Sequence, residues 1–271
     1  MFSGGEYKDP NQIWEDYTTG KQTYHQLSKK YKCSVRTIQR KIDSSSIIIE
    51  KKKPREVVVL MDTTYWGNNF GVMLFKDSRT KENLQKYYVK YETNSLYKKG
   101  IEELKSKGFN IVGIVCDGRR GLIQSFPNIP VQMCQFHQAA IVRRYVTKNP
   151  RMPAASELMD IVRMMKQTDK ESFEGALKLW HIEWNSFLNE RIQNQETGKS
   201  HYTHKRLRSA IRSIETNLPW LFTWYEYMEL KIPSTNNSLE GHFADLKNKL
   251  RNHNGLSLAR KKKFIDGFLK A

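Results

Sequence analysis

Two runs of consecutive apolar, largely β-branched residues stand out along the chain: Arg55 to Leu60 (REVVVL) and Ile111 to Cys116 (IVGIVC). Such runs, with no polar alternation, predict strands buried on both faces. The first leads through Met61 to Asp62, and the second stops at Asp117. Between them, Gly71 to Phe75 and Lys86 to Tyr91 predict two more strands around a turn at Asp77 to Glu82, which makes an antiparallel meander with the first. Leu96, Ile101 and Leu104 then fall at helical spacing from Thr93 to Lys107, with Gly108 as the stop. Beyond Asp117, Gly118 and Gly121 break the pattern. Leu122, Ile123 and Phe126 then predict a helix, and Val131 to Cys134 a short fifth strand.

On both sides of this region the apolar period is helical. Ile13, Trp14 and Tyr17 mark a first helix, Leu27 and Tyr31 a second, and Ser34 caps a third that holds Val35, Ile38 and Ile42 on one face. After His137 the strand signal ends. Trp180, Trp184, Phe187 and Leu188 form one helical stripe and Leu218, Trp220, Leu221 and Trp224 another, with a polar break at Gln193 to Ser200. Ser234 to Asn237 caps a last helix on which Leu239, Phe243, Leu246 and Leu250 recur at spacings of four, three and four.

A three-strand meander followed by parallel strand–helix units is the element order of a ribonuclease-H-like sheet, in which the first and fourth strands lie side by side. The expected architecture is α/β: a ribonuclease-H-like mixed sheet interrupted by an all-helical insertion and preceded by a small helix-turn-helix domain. Its parts are a tail (1–10), the helix-turn-helix (11–43), a Ser- and Lys-rich linker (44–55), a first catalytic part (56–137), the insertion (138–233), and a final helix with a basic tail (234–271).

Charge changes this picture from a fold to a class of partner. The 46 Lys and Arg against 28 Asp and Glu give a net charge of +18, enough to draw the chain to a polyanion. No apolar run approaches the roughly 20 residues of a spanning helix and no signal peptide opens the chain, so nucleic acid is expected rather than membrane. Three cysteines form no disulfide framework and point to a reducing compartment. The third helix offers Arg36, Thr37, Gln39, Arg40 and Lys41, the mixture of cations and amides that reads a major groove; a solvated basic face is the plainer alternative. Lys205, Arg206, Arg208 and Arg212 give one insertion helix a basic side. Lys247 and Arg251 begin a run of seven cations to Lys263 without an acid.

The candidate chemistry follows from Asp62 and Asp117. Carboxylates at the ends of adjacent parallel strands stand at the edge where open α/β sheets carry their sites. DGxxG also fits an ordinary turn in which Asp117 caps a helix. Glu240, one residue round from the apolar seam of the last helix, supplies a third carboxylate, with Glu226 and Glu229 as competitors. An all-oxygen set selects two Mg2+ or Mn2+ ions, which cut and join phosphodiesters. Arg119 and Arg120 beside Asp117 read either as a phosphate clamp or as an exposed loop. Zinc at Cys134 and His137 is not expected, because a closed site needs four ligands and neither Cys33 nor Cys116 is spaced for it.

Asp62, CDGRRG around Asp117, MCQFH, and NNSLEGHFADLK around Glu240, in that order, resemble the DDE transposases of bacterial insertion sequences in the Mutator-like superfamily, the insertion-sequence 256 group. The resemblance covers nearly the whole chain from about Asn11. It implies that Asp62, Asp117 and Glu240 are the catalytic triad and hold the metals, and that the leading helices bind transposon ends. It also implies that Cys134 and His137 are the Cys-x-x-His pair that follows the second aspartate, close to the active site or the scissile phosphate. Double-stranded DNA, as terminal inverted repeats and target, is the implied partner, with a homodimer or larger synaptic complex in the bacterial nucleoid. A DNA-binding repressor with an inactive nuclease domain and a ribonuclease-H-like nuclease without strand transfer remain the other readings of the same residues.

Overall fold

A computed structural model describes residues 9–49, 51–67, 70–253 and 255–271. The expected tail lies, up to residue 8, outside them. The chain begins with three helices, α1 (Pro10–Thr18), α2 (Tyr24–Lys30) and α3 (Val35–Ser44). Strands β1 (Glu56–Trp66), β2 (Phe70–Asp77) and β3 (Asn83–Val89) follow, then α4 (Asn94–Ser106), β4 (Asn110–Cys116) and β5 (Val131–Met133). Next come α5 (Gln135–Val146), α6 (Pro153–Met164) and α7 (Lys170–Asn189), a hairpin of β6 (Arg191–Gln193) and β7 (Ser200–Tyr202), and α8 (Lys205–Leu221) with the short α9 (Thr223–Glu226). Helices α10 (Asn237–Arg251) and α11 (Leu258–Leu269) complete it. None of the described helices is long and apolar enough to cross a membrane.

The five long-chain strands form one mixed sheet in the order β3-β2-β1-β4-β5. β1 pairs antiparallel with β2, β2 antiparallel with β3, β1 parallel with β4, and β4 parallel with β5. Two-residue alternation then sorts the molecule into layers. Val57, Val59 and Met61 turn to the face covered by α4 and by the helices α5 to α8, where Phe173, Trp180, Ile214 and Leu221 are buried. Val58 and Leu60 turn to the opposite face, covered by α10, α11 and the three leading helices. There Leu239, Phe243, Leu246 and Leu250 form one continuous core with Ile13, Tyr17, Ile38 and Phe264.

Several elements differ from the expected ones, each for a local reason. β1 does not stop at Leu60: after its parallel pairing with β4 ends, it continues against β2 as far as Trp66, so Asp62 lies within the strand opposite Leu74. The helix expected after Asp117 is a single 3-10 turn at Ile123–Ser125, since Gly121 (φ +76°) and Pro127 leave no room for more. The insertion is not all helical. Its polar break is the β6–β7 hairpin, whose side chains are mostly exposed and so carry no alternating signal. The expected basic tail is α11, with Phe264, Ile265 and Leu269 buried.

The same docking accounts for cations that the charge run had suggested for a polyanion. Arg260 makes a two-pronged bond to Asp43 (3.0 and 2.6 Å), and Lys263 caps α3 through the Ile42 and Asp43 carbonyls at 2.9 and 2.6 Å. Lys249 is buried beside Asp245 and over the Phe268 ring. The linker too is partly structural: Ser45 is buried and its hydroxyl donates to the Pro10 carbonyl at 3.2 Å.

Candidate active site at the strand ends

Asp62 follows Val58 and Leu60 by two-residue steps, and Asp117 follows Val115, which packs on the same face as those two. Both aspartates therefore turn to the α10 side of the sheet, each two residues beyond the last parallel pair, Leu60 with Val115. α10 packs across β1, and its apolar seam leaves Glu240 in the first turn at the margin of the buried face, its side chain 26% exposed. The three sequence-predicted carboxylates thus share one edge of one face.

The other two charges act on Asp62. The Asp62 carboxyl is pushed up to about 8, first by burial, opposed by the Thr63 N–H that donates to Oδ1 at 2.8 Å, and then by the charges of Asp117, Glu240 and Glu92. Burial also raises Glu240, while His137 and Lys166 pull it back. A divalent cation would relieve this repulsion, and the donors are all hard oxygens.

Glu92 is the residue that sequence reasoning missed. It lies just past β3, and because β3 runs parallel to β1 across the meander, its end stands at the same sheet edge as Asp62 and Asp117. Like Asp117, it is a carboxylate just beyond the end of a strand, a signal present in the sequence. Its Oε1 accepts from the Tyr97 hydroxyl at 2.7 Å, and that hydroxyl lies 2.9 Å from Thr63 Oγ1. Burial raises the Glu92 carboxyl, and the Asp117 charge adds to the effect.

The turn after Asp117 is stitched to this same segment. Arg119 N–H donates to Asp117 Oδ1 at 3.2 Å, so Asp117 organises a turn rather than capping a helix. The Arg119 guanidinium donates to Asn94 Oδ1 (2.9 Å) and to the Glu92 carbonyl (2.8 Å), which engages it in the fold, while Arg120 is exposed. Of the competing glutamates, Glu226 pairs with Lys170 at 2.6 Å. Glu229 lines a groove with Glu56, Val57 and Asp77, at the other end of the strands.

Cys134 and His137 open α5 beside Glu240. Cys134 Sγ, a His137 ring nitrogen and a Glu240 carboxylate oxygen all lie within 4.8 Å of one another, the one such close group of metal-ligand type among the described residues; Asp62 and Asp117 stand outside it. His137 Nδ1 and Glu240 Oε1 are 3.5 Å apart, both buried and without a hydrogen-bond partner. The sequence had offered zinc only two ligands here. The fold adds Glu240 as a third, one short of a closed tetrahedral set.

Of the remaining candidates, those on α3 and α8 lie on helix surfaces, whereas Lys247 and Arg251 line a groove with Tyr65 and Trp66 at the end of β1. Arg36 and Arg40 are exposed on α3, and Thr37 and Gln39 are half-buried. Lys205, Arg208 and Arg212 line a cleft of about 510 Å³ with His181, Tyr202 and Glu215, in which Arg208 stacks on the Tyr202 ring at 3.6 Å. Arg206 donates to the Arg144 carbonyl at 2.6 Å. Lys247 lies 5.8 Å over the Trp66 ring, and Arg251 is exposed.

No protein-family model matches the chain, and no curated protein does. Among solved structures it is similar to a chain in the cryoEM structure of a simian T-cell lymphotropic virus intasome in complex with the PP2A regulatory subunit B56 gamma. That alignment covers 73% of this chain and 74% of the other at 10% identity, with a TM-score of 0.24, too low to carry any argument.

Proposed function

We propose that this protein is a DDE-type DNA transposase of the bacterial insertion-sequence kind, which binds transposon ends and carries out metal-dependent strand cleavage and strand transfer. The observation that supports it most is the convergence of Asp62, Asp117 and Glu240 from β1, β4 and α10 on one edge of one sheet face. In this reading the sheet is ribonuclease-H-like, since its first three strands form an antiparallel meander and its fourth and fifth run parallel beside the first. Helices α2 and α3 are a helix-turn-helix whose α3 enters the major groove.

Asp62, Asp117 and Glu240 would hold two Mg2+ or Mn2+ ions. The fit rests on the all-oxygen donor set and on the repulsion felt by Asp62. When bound, such ions activate a water or a 3′-hydroxyl and stabilise the leaving oxygen of a phosphodiester. The chain's own residues do the rest. His137, beside Glu240 Oε1, keeps that carboxylate turned inward; the Arg119 turn fixes Asp117; and Arg36 and Arg40 grip the DNA backbone. A homodimer or larger assembly in the nucleoid would bring two transposon ends together.

The test is incubation with DNA flanking the protein's own gene. Metal-dependent 3′-hydroxyl ends and joined products are the expected result. Ends without joining would make it a nuclease, and binding without cutting in Mg2+ or Mn2+ would make it a DNA-binding module. Binding itself is expected to weaken in Arg36→Ala and Arg40→Ala, each lowering the slope of log affinity against log salt by about 0.9. An unchanged slope in both variants would remove α3 from the interface.

A further inference from the structure

Asn236 is the N-cap residue of α10, yet its side chain makes no capping bond to the helix. An asparagine there ordinarily accepts from the N2 or N3 amide. This one reaches across the core instead. Its Oδ1 accepts from the Cys134 thiol at 2.9 Å, and its own N–H donates back to Cys134 Sγ at 3.4 Å, between residues 102 positions apart and both 0% exposed.

The bonds continue in both directions. Cys134 N–H donates to the Cys116 carbonyl at 2.8 Å, and Cys116 is the residue before Asp117. On the other side, the Asn236 carbonyl accepts from the Leu239 and Glu240 amides at 2.8 and 3.1 Å. A single path of hydrogen bonds therefore runs from the neighbour of Asp117, through Cys134 and Asn236, to the backbone of Glu240. A parallel strap, Gln135 N–H to the Ser234 carbonyl at 3.0 Å, closes the same junction where residues 138–233 leave and rejoin the sheet.

We propose that Cys134 and Asn236 form a positioning clasp that sets where Glu240 stands relative to Asp117. The catalytic consequence rests on the proposed cleavage reading; the clasp itself does not. Neither residue touches the reacting atoms. The competing account makes Cys134 a small apolar filler, for which Ala would serve and Ser, burying a hydroxyl, would be no better. The clasp reverses that ranking, because a Ser hydroxyl can donate to Asn236 Oδ1 and a methyl group cannot.

The experiment uses the full chain with Cys134→Ala, Cys134→Ser, Asn236→Ala and the Cys134→Ala/Asn236→Ala pair. Amide hydrogen exchange is read at Leu239 and Glu240, and single-turnover cleavage and Mn2+ half-saturation are read alongside. Each Ala variant is expected to lose roughly tenfold in exchange protection at these two amides, with Cys134→Ser close to the parent. The Ala variants should lose about 10–100-fold in cleavage or Mn2+ affinity, as residues that orient ligands usually do, with DNA affinity unchanged. The double variant should be no worse than the poorer single one. Parental protection in Cys134→Ala, or additive losses in the pair, would overturn the clasp. Should Cys134→Ala not fold, parental protection in Asn236→Ala overturns it alone. If the parent protein cuts no DNA, the cleavage reading fails while the exchange data still decide the clasp.

Discussion

Glu240→Gln is expected to give a folded protein that binds DNA as the parent does but cuts it on the order of 10³-fold more slowly, the scale seen when a preorganised charge-stabilising group is removed. The substitution keeps the side chain's shape and removes its charge. The alternative role, a first-turn glutamate interacting with the dipole of α10, is worth only about 0.3–1 kcal/mol and would leave cleavage intact. A 10³-fold loss corresponds to about 4 kcal/mol of barrier, well outside that range. Glu229→Gln and Glu226→Gln serve as controls and should cut at the parental rate, since Glu229 lines the far end of the sheet and Glu226 is paired with Lys170. Single-turnover cleavage in Mn2+, with melting and binding measured on the same samples, checks it. Near-parental cutting by Glu240→Gln would place the third ligand elsewhere, and Glu92, facing the same edge, would be the next residue to replace.

Relative to Asp62→Asn, the metal-free parent should lose stability as pH rises from about 4 to 8. The Asp62 carboxyl is raised from 3.8 to about 8 by burial and by the Asp117, Glu240 and Glu92 charges, against the Thr63 N–H. Between those two values the unfolded chain has released the proton while the folded chain still holds it. The folded state binds more protons, so stability falls with rising pH, at most by about 1.4 kcal/mol per unit for one group. Glu92 and Glu240, also raised, contribute with the same sign. Asp77, held low despite burial by the Arg79 N–H and by Arg55, acts oppositely only below the ordinary carboxylate value, whereas His242 and His253, both held low by burial, act oppositely below about pH 6.5 and cancel in the comparison of parent with variant. At pH 8 in chelator, Asp62→Asn is therefore expected to be about 1–3 kcal/mol more stable than the parent while being unable to cut. Mg2+ or Mn2+ should stabilise the parent more at pH 8 than at pH 5. Urea unfolding at pH 5, 6.5 and 8 makes the comparison, and parallel pH curves for parent and variant would show that Asp62 stays ionised.

What the sequence determined by itself is whatever a period of two or of 3.6 can record. Val57 to Met61 and Ile111 to Cys116 could only be strands buried on both faces, and the two-residue step that buries Val58, Leu60 and Val115 on one side carries Asp62 and Asp117 to that side as well. Leu239, Phe243, Leu246 and Leu250 likewise declared the buried seam of α10 and, one residue round, Glu240. The hairpin at residues 191–202 left no such record because its strands bury no face. Tertiary structure brought Glu240 to the face of the aspartates by laying α10 across β1, and left Glu226 paired with Lys170 and Glu229 at the far end of the strands. It alone turned Arg260 and Lys263 from free charge into a dock for α3, 217 or more residues away in sequence. It alone brought Cys134 to Asn236 across the insertion. These pairings are set by burial and hydrogen-bond satisfaction between distant segments, and no local period encodes them.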